Sequence, residues 1–98
     1  MNIFGYDFKG PHKISDGIIE DAAVYIVVDD QNKVVDVGEV GEEGMEFSKS
    51  ERKSCWEENN GEEFYVAKMP PEEYEKKDRE MLENQIRETI NNIPCGRK

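Results

Sequence analysis

Three groups of side chains in this 98-residue sequence have the types needed for chemistry. Cys55, Cys95 and His12 could offer two sulfurs and an imidazole to zinc, but their wide separation matches no standard ligand spacing, and Cys55 with Trp56 reads better as core. Lys49, Arg52 and Lys53 form the compact basic patch of the chain. A run this short is ordinarily a solvated helix face, and it is also the best-placed contact for an anion. Glu72, Glu73, Glu75, Glu80, Glu83 and Glu88 crowd one C-terminal stretch. There a solvated charged face is the usual outcome, and a lone magnesium ligand leaves little sequence trace. His12 follows Pro11 in an arm rich in chain breakers, has no triad partner at a telling spacing, and is assigned no role.

Charge narrows the functions. Asp and Glu number 23 against 13 Lys and Arg, a net charge of -10, which repels polyphosphate unless the basic residues share one face. The same charge suits a protein that docks on a basic partner. A chain of this length holds one core, and its apolar residues, 36% of the total, are grouped rather than scattered. No apolar run of about 18 residues is present to cross a bilayer, and residues 1–7 lack the basic start and long apolar stretch of a signal peptide. A soluble, cytoplasmic chain without a membrane partner is therefore expected, and in that compartment both cysteines are expected as free thiols.

The elements that must position these groups follow from periodicity and breakers. Residues 1–20 hold Phe4, Tyr6, Phe8, Ile14, Ile18 and Ile19 between Gly5, Gly10, Pro11 and Gly17, and are expected as an arm laid over the core. Residues 22–28, nearly uncharged, β-branched and aromatic, predict a strand covered on both faces. The polar turn 29–33 and a second β-rich run, 34–40, predict a hairpin with Val35 and Val37 on one face. A helix, broken or whole, is expected over 45–58, ended by Asn59-Asn60-Gly61, and a third strand over 64–67. Pro71 at a first helical position, Glu72 and Glu73 in the first turn, and Leu82, Ile86 and Ile90 every four residues predict a long C-terminal helix closed by Pro94 and Gly96, with Arg97 and Lys98 frayed.

The order of hairpin, helix, strand and long helix, with Ala23-Val24-Tyr25 on the first strand and Asp36-Val37-Gly38 near the end of the second, resembles the GIY-YIG nuclease domain over residues 20–96. The resemblance implies an α+β fold in which a three-stranded antiparallel sheet is flanked by helices, with residues 21–98 as the domain and 1–20 as the packed arm. It also implies that Tyr25 activates water, that Arg52 contacts phosphate, and that Glu83, or Glu80 one turn away, binds a single Mg²⁺ or Mn²⁺ for cleavage of nucleic acid. Ala23 stands where the family has its first glycine, Asp36 where it has the second motif's tyrosine, and Glu46 where its arginine is usual. Two functions from different classes are thus expected of one scaffold: a metal-dependent phosphodiesterase, and a non-catalytic module in which Tyr25 is a strand aromatic and a basic protein is the partner.

Overall fold

A computed structural model describes residues 1–96 of the chain; the fraying expected of Arg97 and Lys98 lies outside the described residues. In chain order the strands are β1 (Asn2–Ile3), β2 (Tyr6–Asp7), β3 (Lys9–Lys13), β4 (Ile18–Ile19), β5 (Ala23–Val28), β6 (Val34–Val40), β7 (Met45–Glu46) and β8 (Glu63–Lys68). The α-helices are α1 (Lys53–Glu58) and α2 (Lys76–Thr89). An apolar β-branched run must cover both its faces, and every residue of β5 is buried. It lies inside a four-stranded antiparallel sheet of order β3-β8-β5-β6.

Four strands rather than three correct the expected sheet. The arm does not merely lie over the core: Lys9–Lys13 pairs with β8, His12 opposite Phe64 and Lys9 opposite Val66, with an irregularity between them. Pro11 cannot donate to a ladder, so this strand can only be an edge. The remainder of the arm forms the β1–β2 hairpin and β4, which pairs with β7.

The β5–β6 hairpin turns where the side chain of Asp29 accepts from the backbone N–H of Gln31 and Lys33, and Asn32 takes a positive φ of 64°. Val35 and Val37 do not share a face. Val27 opposes Asp36 and Val28 opposes Val34, so Val35 is the extra residue of a bulge and joins the opposite core cluster from Val37.

Two further boundaries differ from expectation. Residues 45–58 divide into β7, a 3₁₀ turn over Phe47–Lys49 and the six-residue α1, because Phe47 and Trp56 must both reach the same core and Ser50 Oγ accepts the Arg52 N–H between them. The C-terminal helix begins at Lys76 rather than near Pro71. Pro70 accepts from Glu73 and Tyr74 in a separate turn, and Glu75 with Asp78 forms a capping box that sets the start. It ends at Thr89, before Pro94 and Gly96.

Each sheet face carries its own cluster. Leu82 and Ile86 of α2 pack on Val24, Ile26, Val37 and Ala67, with Ile90 partly buried beside them. On the other face Tyr25, Val27 and Phe64 meet Phe47 and Trp56. The Phe47 ring stacks on Phe64 at 4.0 Å between centroids and meets Tyr25 edge-on at 5.2 Å.

The cysteines are a correction too. Cys55 of α1 and Cys95 form a disulfide with Cα atoms 5.9 Å apart. After α2 the chain returns along β6, where the Cys95 N–H donates to the Val35 carbonyl, and this brings two thiols 40 residues apart in sequence into one place. No helix among the described residues is long and apolar enough to cross a membrane.

Candidate functional site

An isolated carboxylate in an apolar strand requires partners, since burying an unpaired charge costs far more than a strand residue can return. Asp36 has no exposed surface, and its side chain faces the layer that holds α1. Its Oδ1 accepts from its neighbour's N–H, that of Val37, at 2.7 Å, from Arg87 Nη2 at 2.9 Å and from Arg52 Nη1 at 3.2 Å. Its Oδ2 accepts from Trp56 Nε1 at 2.8 Å and from Arg52 Nη1 at 3.2 Å. Both carboxylate oxygens are thereby satisfied.

The arginines arrive from different layers. Arg52 enters from the residue before α1 and places Nη1 3.3 Å from both the Tyr25 hydroxyl and the Val37 carbonyl. Arg87 comes round the edge of β6 from α2, on the opposite face. It donates to Asp36 and, in a short contact, to the Val37 carbonyl; Nη1 reaches the Cys95 carbonyl and Nε reaches Glu83 Oε2, each at 3.2 Å. Among the described residues no further strand pairs with β6; its Val37 carbonyl is covered by the two arginines and its Val35 carbonyl by the Cys95 N–H.

Gly38 stands opposite Tyr25 in the ladder, and a Cβ there would collide with the hydroxyl end of the phenol. A strand glycine marks a close approach of this kind. Gly96 closes the cluster from the other side: at a φ of 96° its backbone lies against Arg87 and Asp36.

Burial pushes the Tyr25 phenol up to about 12; Arg52 opposes the rise, while Asp36 and Glu83 add to it. The phenol is therefore neutral at pH 7. Burial pulls Arg52 down, but Tyr25, Asp36 and Glu83 outweigh it and hold the guanidinium above its ordinary value.

Of the residues singled out in the sequence, Tyr25 and Arg52 touch each other, and Glu83 joins them through Arg87. Glu80 is exposed on α2, and Lys49 is exposed and ion-paired with Glu46. His12 lies exposed on β3, against the Phe64 ring.

Asp36 and Arg87 are the residues that sequence reasoning missed as site members. The signal for Asp36 is a lone carboxylate between buried valines; that for Arg87 is a cation four residues after Glu83 on one helix face.

A divalent cation does not fit this arrangement. The Glu83 carboxylate is buried against the Arg87 guanidinium, the Asp36 carboxylate is saturated by that same guanidinium, by Arg52 and by an indole, and added positive charge would meet both arginines. Among the described residues, no group of three or more His, Cys, Asp or Glu side chains gathers as a ligand set. Comparison with protein-family models, with curated proteins and with solved structures finds no match, so the site stands on its own geometry.

Proposed function

We propose that this domain is a non-catalytic protein-interaction module that docks on a basic partner. One observation carries the reading: the chain's own Asp36 occupies both arginines at the only place where Tyr25, Arg52 and Glu83 approach each other among the described residues. A phosphate arriving there meets an Arg52 whose Nη1 already donates to a fully buried carboxylate that holds five hydrogen bonds. The net charge of -10 adds a field that repels nucleic acid and attracts cationic protein.

A second reading, the metal-dependent phosphodiesterase of GIY-YIG kind, is favoured by the contact of Tyr25 with Arg52, to which Glu83 is linked from the opposite sheet face through Arg87 and Asp36. It requires Arg52 to bind phosphate beside or in place of Asp36, and Glu83 to exchange Arg87 for Mg²⁺ or Mn²⁺. The test is a cleavage assay on DNA and RNA with each metal, beside a titration with cationic peptide at low and high salt. The module reading expects no cleavage and salt-sensitive peptide binding. Cleavage that needs metal and is lost in Arg52→Lys and Glu83→Gln would overturn it in favour of the nuclease.

A further inference from the structure

Resting on the module reading, we infer that the ridge formed by Ile18, with the clefts on either side of it, is the surface that receives a basic peptide segment carrying apolar side chains. A strand with one buried face ordinarily alternates apolar and polar residues. β4 departs from that rule. Ile19 turns inward and is buried, while Ile18 turns outward and, at 62% exposure, is the most exposed of the large hydrophobic side chains among the described residues. Among the described residues its side chain belongs to neither core cluster, whereas that of Ile19 belongs to one.

Ile18 separates two open clefts. One, of about 550 Å³, is floored by Ile19, Phe64 and Val66 and edged by Asp16, Glu20 and Asp21. The other, of about 520 Å³, runs along the β4–β7 ribbon past Met45 and is edged by Glu20, Glu43 and Glu46. All five carboxylates are exposed. Lys13 and Lys68 also line the first cleft and Lys49 the second, where it is already paired with Glu46 at 3.6 Å. The lysines leave the ridge two negative charges in excess.

An exposed apolar centre with a polar, charged rim is the anatomy of a protein–protein contact. The sign of this rim selects the occupant. An acidic or neutral segment would leave the carboxylates unmatched, whereas a lysine- or arginine-bearing one pairs with them while its apolar side chains enter the clefts beside Ile18. Each cleft is roomy enough for a leucine or isoleucine side chain.

The experiment titrates the full chain with two synthetic probes at low salt, a peptide of alternating lysine and leucine and an oligolysine of equal length, following backbone amide resonances. The expected result is that the lysine–leucine peptide binds more tightly than oligolysine and shifts the amides of Ile18, Ile19, Met45 and Val66. Ile18→Ser, at a site too exposed to alter the thermal midpoint, weakens the lysine–leucine peptide about tenfold and leaves oligolysine unchanged. Glu20→Lys with Glu43→Lys weakens both peptides and flattens the salt dependence. Shifts that map to another surface would overturn the Ile18 site and leave the module reading standing. Binding of neither peptide anywhere would overturn both. Self-association in sedimentation that Ile18→Ser abolishes would assign the ridge to a second copy of this chain instead.

Discussion

The two edges of the main sheet meet the same physical problem and answer it differently. Any edge strand presents unpaired N–H and C=O groups that invite another chain. At β6 the edge is closed from within: Cys95 donates to the Val35 carbonyl, Arg52 and Arg87 donate to the Val37 carbonyl, and the disulfide ties the returning chain to α1. At β3 the edge is open, and all five residues are exposed. It is blunted instead by Lys9, Pro11, Lys13 and an irregular register. A closed edge built from buried charges is a device in which each member depends on the others. An open edge built from exposed side chains tolerates change.

The comparison breaks most sharply at Asp36. Asp36→Ala removes the carboxylate shared by two guanidinium groups and leaves the buried Trp56 N–H without its acceptor, so a loss of about 3 to 5 kcal/mol is expected in denaturant unfolding. Hydrogen exchange at Val35 and Val37 should accelerate while β3 amides keep their rates. An unchanged midpoint would mean that Asp36 is dispensable and the β6 edge is closed by packing alone.

Next in size is the disulfide. Reduction, or Cys95→Ser, releases a crosslink spanning 40 residues and is expected to lower stability by about 2 to 4 kcal/mol. Mass spectrometry of the unreduced chain checks the bond itself, and a pair of free thiols there would remove this prediction together with the tether.

Tyr25→Phe removes a hydrogen bond accepted from Arg52 and should cost about 1 kcal/mol at pH 7. It also tests the sign of a pH effect. The folded-state value lies near 12 and the ordinary one at 10.0, so the folded chain holds a proton that the unfolded chain releases. That contribution is complete below pH 10 and is lost as pH rises towards 12. Ultraviolet titration should show one of the four tyrosines ionising late in the wild type, and the late step should vanish in Tyr25→Phe. A titration in which all four ionise together would remove the buried-phenol account.

The smallest expected effect lies at the open edge. Lys9→Val with Lys13→Val should leave the unfolding midpoint where it is, since both ammonium groups are exposed. It should raise edge-to-edge association in sedimentation velocity. A large loss of stability there would show that the two edges are built alike after all.

The interior strand was readable in the sequence because Ala23–Val28 is apolar on both faces, and α2 because Leu82 and Ile86 recur on one face of one helix; periodicity is local and needs no partner. Tyr25, Arg52 and Glu83 were nameable as chemically capable side chains. The resemblance also grouped them, but the ties that hold that group were not readable, because Asp36 meets Arg87 across 51 residues and Cys55 meets Cys95 across 40. The fourth strand escaped for the same reason: five exposed residues with a glycine and a proline look like an arm until β8 lies beside them. One-dimensional order sets which segments can be strands or helices, since each must hide its own apolar stripe. Register, bulge and chain return decide which charges face each other, and these come from packing that only the assembled layers possess.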